Sequence, residues 1–190
     1  MEILFCIAMI FILMVMIVVS GISIMGIYLF VSSSFQKYAP PVRSSGKLKN
    51  AVLREVTKQL EHMSNGQQIV DLGSGWGTLL LPLAKKFPEH KFIGIERAFT
   101  PFYISCWRAR KLPNLCFIRE DFFSYDLSKT NIVMMFLIGF MMPKVTEKCL
   151  KELPKGAKIY ASRFALSGVE ADVIVNLGDK MSVYYVYEMK

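Results

Sequence analysis

From Ile3 to Val31 the chain has no Asp, Glu, Lys or Arg. That absence excludes an amphipathic surface helix, which needs polar residues along one face. As a helix, this run of about 29 residues would reach about 44 Å, at about 1.5 Å per residue. The hydrocarbon core of a bilayer needs only about 20 residues. The segment is therefore expected to cross a membrane, with tilt or with one end in the interface. A cleavable signal peptide fits less well, because the start carries Glu2 without Lys or Arg and the apolar run is too long.

Other absences narrow the chemistry. The four cysteines, Cys6, Cys106, Cys116 and Cys149, form no CxxC pair, and His62 and His90 stand alone. A disulfide scaffold and a metal site are not expected. There are no internal repeats. No Lys or Arg precedes Lys37, so all 23 follow the apolar run, in a chain of net charge +8. Lys37, Arg43, Lys47 and Lys49 flank its carboxyl end, whereas Glu2 precedes it. Basic flanks stay on the cytoplasmic side, which places the rest of the chain there in a bacterial inner membrane, or facing a matrix in an organelle membrane. Such a basic domain is drawn to anionic headgroups. Nucleic acid is not an expected partner, because the basic residues are scattered and an anchor restricts access.

What is present reads as three regions: a transmembrane anchor over 1–35, a linker or pre-domain over 36–49, and one catalytic domain over 50–190. Ser32 to Gly46, with its serines and Pro40-Pro41, has linker composition. Lys47 to Met63 shows helical spacing of apolar residues and stops at Asn65-Gly66. Strand-like and helix-like segments then alternate. Strands are expected at Gln68–Leu72, Lys91–Glu96, Leu115–Arg119, Asn131–Ile138 and Ala157–Arg163. Helices are expected at Thr78–Phe87, Pro101–Leu112 and Pro143–Leu153. This alternation implies a parallel sheet covered on both faces. Two further β-rich runs, Ala171–Leu177 and Ser182–Glu188, flank Gly178-Asp179-Lys180 and read as an antiparallel hairpin. The expected fold is α/β: a Rossmann-like, seven-strand, mostly parallel sheet of the methyltransferase layout, ending in that hairpin and preceded by one transmembrane helix.

The chemistry centres on Val70-Asp71-Leu72-Gly73-Ser74-Gly75-Trp76-Gly77, where the first strand gives way to a helix. Open α/β sheets bind ligands at such turns. Gly73 and Gly75 permit positive φ and close approach of a ligand, and their amides, with the helix start, offer donors to a carboxylate. The dinucleotide pattern G-x-G-x-x-G is not met, because Thr78 stands at the third glycine. Asp71 followed by glycines at alternate positions resembles the methyltransferase loop that holds S-adenosylmethionine. There Asp71 would accept from the cofactor's ammonium. Glu96, followed by Arg97, ends the second strand about 20 residues past the loop and is placed to take both ribose hydroxyls. Asp121 is placed for the adenine amino group, with Glu120 as its alternative and Phe122 or Phe123 packing on the ring. Trp76 either shapes the pocket or packs under the loop. Phe136 to Met142 forms an apolar stripe after the fourth strand, where methyl acceptors sit. It lacks the Asn/Asp-Pro-Pro-aromatic signature of many amino-group and nucleobase methyltransferases.

Asp71 to Gly77, Glu96, Arg119-Glu120-Asp121, Met141-Met142-Pro143, Leu150 to Pro154 and Ala161-Ser162-Arg163-Phe164 together resemble one family. It is the small membrane-anchored protein-lysine methyltransferases that modify the adenine nucleotide translocase and the ATP synthase c-subunit, with their bacterial relatives. Trp76 departs from it, since a small acidic residue often stands there, and Pro40-Pro41-Val42 echoes its proline-containing segment only loosely. The resemblance implies S-adenosylmethionine as cofactor and lysine N-methylation of a protein in or near the membrane. Glu120 and Asp121 are the carboxylates available to orient an amine. Two other readings stand beside it: methylation of a lipid or quinone, motivated by the apolar stripe, and a non-catalytic cofactor-binding membrane scaffold. A fold alone does not choose between them.

Overall fold

The structure is a computed structural model and describes residues 1–34, 46–179 and 181–190. It divides into two compact units, Met1–Val42 and Arg43–Lys190. Among the described residues, the first holds one helix, α1 (Glu2–Ser34). Within it, Phe5–Leu29 is long and apolar enough to cross a membrane, and none of it is buried. The helix runs through Ser32–Ser34, which composition had assigned to a linker. The remainder of that linker, up to Ser45, lies outside the described residues, as does Lys180 of the hairpin turn.

The second unit opens with α2 (Gly46–Glu61), whose Leu48, Ala51, Val52, Val56 and Leu60 are buried. The order then runs β1 (Gln68–Leu72), α3 (Leu80–Lys86), β2 (Lys91–Ile95), α4 (Phe99–Ala109), β3 (Leu115–Ile118) and β4 (Ile132–Met135). It continues with α5 (Met142–Glu152), β5 (Lys158–Ser162), β6 (Val173–Asn176) and β7 (Val183–Glu188). These form one seven-stranded sheet in the order β3-β2-β1-β4-β5-β7-β6. The first five strands are parallel, and β7 runs antiparallel to both β5 and β6.

The strands form because their residues are apolar on both sides. In β4 all four residues are buried, and in β1, β2 and β5 every residue after the first is. Two layers cover the sheet. On one face Ile69, Phe92, Ile132, Met134 and Tyr160 pack under α2, α3 and the inner side of α4. On the other Val70, Leu72, Ile93, Val133 and Ile159 pack under α5 and Leu127. Cys149 of α5 lies in the second core, where burial pushes its thiol up to about 12. It is a packing residue and not a nucleophile.

Most element ends shift by one to three residues from the sequence pattern, and three of the shifts have a plain physical cause. The helix expected from Thr78 starts at Leu80, because Gly77 at φ 69° first turns the chain. The helix expected from Pro101 starts at Phe99, since proline fits a first helical turn and does not have to open it. The strand expected to reach Ile138 ends at Met135, and a 3-10 turn at Gly139–Met141 leads into α5. The apolar stripe therefore belongs mostly to a loop at the carboxyl end of the sheet.

Candidate active site

Strand order reverses between β1 and β4, since the chain builds outward to β3 and then returns to the far side of β1. Such a switch point opens a crevice at the carboxyl ends of the two strands. The Asp71–Gly77 turn lines it from β1 and the Phe136–Met142 segment from β4.

Gly73, Gly75 and Gly77 all have positive φ, at 76°, 53° and 69°. The turn is held on its β2 side. The Gly73 and Ser74 amides donate to the Ile95 carbonyl at 2.9 and 3.0 Å. Glu96 then acts as a clasp. Its Oε2 accepts from the Gly75 amide at 2.8 Å and its Oε1 from the Ala98 amide at 2.7 Å. From α4, Arg108 Nη1 donates to the Trp76 carbonyl at 2.6 Å. Trp76 itself is half-buried. Beneath the turn the Phe117 ring of β3 lies against Gly77 and Gly94, and neither position has room for a Cβ. On the β4 side, a Cβ at Gly73 would stand 3.2 Å from Leu137 Cδ2. Leu72, at the end of β1, is buried in the core below the crevice.

Two buried polar groups stand out in this frame. Among the described residues, Ser74 Oγ is buried with no hydrogen-bond partner. The Asp71 carboxyl, 3% exposed, is raised to about 7, first by desolvation and then by the nearby charge of Glu96. A cation beside it would reverse that shift.

Further along the sheet, Asp121 Oδ1 accepts from the Phe123 amide at 3.1 Å, and its Oδ2 lies 3.7 Å from Arg97 Nη1. Phe122 and Phe123 pack ring to ring at 4.5 Å, and Glu120 is half-buried beside them. The structure thus gathers Asp71, the glycine turn, Glu96, Arg97 and Asp121 along the ends of β1, β2 and β3. It sets Glu120 and Asp121 apart from the apolar segment after β4. Strands β2 and β1 intervene, about 14 Å at about 4.8 Å per strand. Those two carboxylates stand on the side of Glu96 away from the β4 crevice.

Sequence reasoning missed the clasp role of Glu96, the Arg108 tie, the Ser74 hydroxyl and the Phe117 floor. One signal was legible: Gly94, alone inside a strand, marks a close approach of another group. Arg163 was also missed as a backbone feature. It is the one described non-glycine residue at positive φ, 72°, and its guanidinium lies over the Phe164 ring.

Residues 71–173 match the family model of the ANTKMT methyltransferase domain, more than half of the chain. The chain belongs to that family. The relatives agree at modest identity. A protein-lysine N-methyltransferase of Saccharolobus islandicus is 26% identical over 81% of this chain and 94% of its own length. The mouse adenine nucleotide translocase lysine N-methyltransferase is 27% identical over 88% of this chain and 75% of its own. A carboxy-S-adenosyl-L-methionine synthase of Nautilia profundicola is 36% identical, but over 48% of this chain, which spans only 40% of that protein. The fold matches an RNA methyltransferase of Salinibacter ruber, solved with S-adenosyl-L-homocysteine, at TM-score 0.66. That structure is 19% identical and aligns over 78% of this chain and 94% of its own.

This family member is an S-adenosylmethionine-dependent methyltransferase. Its crevice fits that donor. At Gly75 nothing lies within 4 Å of where a Cβ would stand, so the backbone is open to a ligand. The buried Asp71 carboxyl and the unpartnered Ser74 hydroxyl point to a polar, positively charged guest. Among the described residues no group of three His, Cys, Asp or Glu side chains is gathered for a metal ion.

Proposed function

We propose that this methyltransferase N-methylates lysine in a membrane-associated protein, tethered by α1 with its catalytic unit on the cytoplasmic or matrix side. The observation that carries the lysine reading is the alignment of 88% of the chain with a relative named for lysine methylation of the adenine nucleotide translocase. The apolar, uncharged Phe5–Leu29 supports the tether, and the basic flank at Lys37–Lys49 supports its orientation.

S-adenosylmethionine supplies a methyl group on a sulfonium, already activated for in-line displacement. The protein's task is then alignment and exclusion of water. Asp71 receives the amino-acid end of the donor, and the Leu72–Gly77 turn cradles it through Gly73, Ser74, Gly75 and the Trp76 wall. Glu96 has two oxygens already accepting backbone amides, and a carboxylate has about four acceptor sites, so it can take ribose hydroxyls while still clasping the turn. Arg97 and Asp121, with Phe122, frame the adenine end. The acceptor enters past the segment after β4, where Phe140 is 68% exposed. Burial there would disfavour the charged form of a lysine and so help free its lone pair. The geometry assigns no general base.

Proteomic mass spectrometry of the membrane fraction tests this reading, comparing cells with the wild-type chain and with Glu96→Ala. A methyl-lysine present only with the wild type is expected. Methyl label appearing instead in lipid extracts would favour a lipid or quinone acceptor, to which the exposed Phe140 is also suited. Donor binding without transfer to either fraction would leave a binding scaffold.

A further inference from the structure

The outer side of α4 is not explained by holding a cofactor. Pro101, Ser105 and Ala109 turn inward. Phe99, Tyr103 and Trp107 recur every fourth residue and so share the opposite face. They are 47%, 51% and 65% exposed, and Ile104 beside them is 39% exposed. The Phe99 and Tyr103 rings touch at 4.4 Å, and Trp107 continues the row one turn further along the helix. Scattered exposed apolar residues need no explanation, whereas an aromatic stripe on one helix face does.

Its charge is mainly basic, with Arg97 paired to Asp121 at 3.7 Å. From Arg97 to Arg119 the chain has five cations, Arg97, Arg108, Arg110, Lys111 and Arg119, and no Asp or Glu. Two of them sit on the stripe. The Arg110 guanidinium lies 4.4 Å from the Trp107 ring centroid and that of Arg119 5.1 Å from Phe99. Arg110 is further fixed by donating to the Trp107 carbonyl at 2.7 Å.

We infer that this face of α4 docks onto the headgroup region of an anionic bilayer. Trp and Tyr favour the membrane interface, where an apolar ring and a polar edge are both satisfied. Helices that lie in that plane pair such rings with Arg and Lys, and the cations are drawn to anionic lipid. A nucleic acid would use the cations and the rings but has no use for Ile104. The choice of a bilayer as occupant rests on the tether proposed above, not on the lysine reading. Phe99 follows Glu96 by three residues, so docking would set the rim of the cofactor crevice at the lipid surface and favour acceptors held there.

Tryptophan fluorescence of the full chain tests the inference. The chain is reconstituted into phosphatidylcholine vesicles, with or without phosphatidylserine, whose acyl chains carry bromine near the headgroup. With phosphatidylserine, emission is expected to shift to the blue and to be quenched, and raised salt is expected to weaken both. Trp107→Phe should lose the quenched component, which separates Trp107 from Trp76. Arg110→Glu with Lys111→Glu should lose it too. Vesicle flotation after an alkaline wash reports the tether separately: release by the wash, with Trp107 quenched beforehand, would fail the tether and keep the docking. Flotation without Trp107-dependent quenching would overturn the docking. So would an emission change produced only by added RNA or by raised protein concentration, which would assign the stripe to a nucleic acid or a second copy.

Discussion

The turn after β1 and the turn after β4 leave neighbouring parallel strands at the same end of the sheet, yet they are built in opposite ways. The first is short, rich in glycine and held by Ile95 and Glu96 at the end of β2 and by Arg108 from α4. The second is apolar, contains a 3-10 turn and presents Phe140 to solvent. A turn that receives one invariant ligand can be fixed by backbone hydrogen bonds before the ligand arrives, which lowers the ordering cost of binding. A turn that receives a particular acceptor gains its specificity from side chains. The difference supports the proposed division, with donor binding in the β1–β3 half and acceptor choice in the β4 half.

The largest effect should follow from breaking the clasp. Glu96→Ala removes two charge-assisted bonds to backbone amides, each worth about 1.5–3 kcal/mol, and the proposed ribose contact with them. Methyl transfer is expected to fall by at least about a hundredfold, with weaker donor binding by calorimetry. Preserved donor affinity in that variant would break the division of labour.

Asp71→Asn should weaken donor binding by about 10-fold or more, the cost of losing a charged hydrogen bond. The sign of the pH effect follows from its raised pKa. In the unliganded fold the carboxyl is protonated below about 7, whereas in the unfolded chain it ionises near 3.8. Ionised Asp71 therefore opposes folding, and stability without ligand falls as pH rises through that window. A cationic ligand prefers the ionised form, so donor affinity should rise with pH up to about 7 and then level. In Asp71→Asn both trends should flatten, and the unliganded variant should melt higher than wild type near pH 8, a value taken only as about one unit above that pKa.

Phe140→Ala sharpens the other half. It should leave donor affinity unchanged and raise KM for the acceptor about fivefold, the scale of about 1 kcal/mol of lost apolar contact. The smallest effect is expected at Arg163, whose positive φ costs a non-glycine residue about 1 kcal/mol. Arg163→Gly relieves that strain at the cost of chain entropy, so its melting temperature should match or slightly exceed wild type. A clear loss of stability would show that the guanidinium over Phe164 matters more than the strain.

The two halves also differed in how readable they were. β1 was read to the residue, because Ile69, Val70 and Leu72 lead straight into the alternating glycines of Gly73–Gly77, which no helix would favour. The sheet and its final hairpin followed from alternating periods and from Gly178-Asp179. The end of β4 was not legible: Met135 and Phe136 are equally apolar, and only the packing of Leu137 against Gly73 and of Phe164 against Gly139 shows the chain leaving the sheet. Glu96 was found for its position at a strand end. Its hold on Gly75 depends on the spacing of β1 and β2, which is set by tertiary pairing and leaves no mark in local sequence.

The central claim is that the β1 turn and Glu96 together form a prebuilt donor site. Isothermal titration of the full chain with S-adenosylhomocysteine, repeated on Glu96→Ala, tests it most directly. The account predicts one binding site per chain in the wild type, tighter as pH approaches 7 from below, and a loss of that heat in the variant. A folded wild-type chain that binds none of the ligand, or an equal affinity in both proteins, would contradict it.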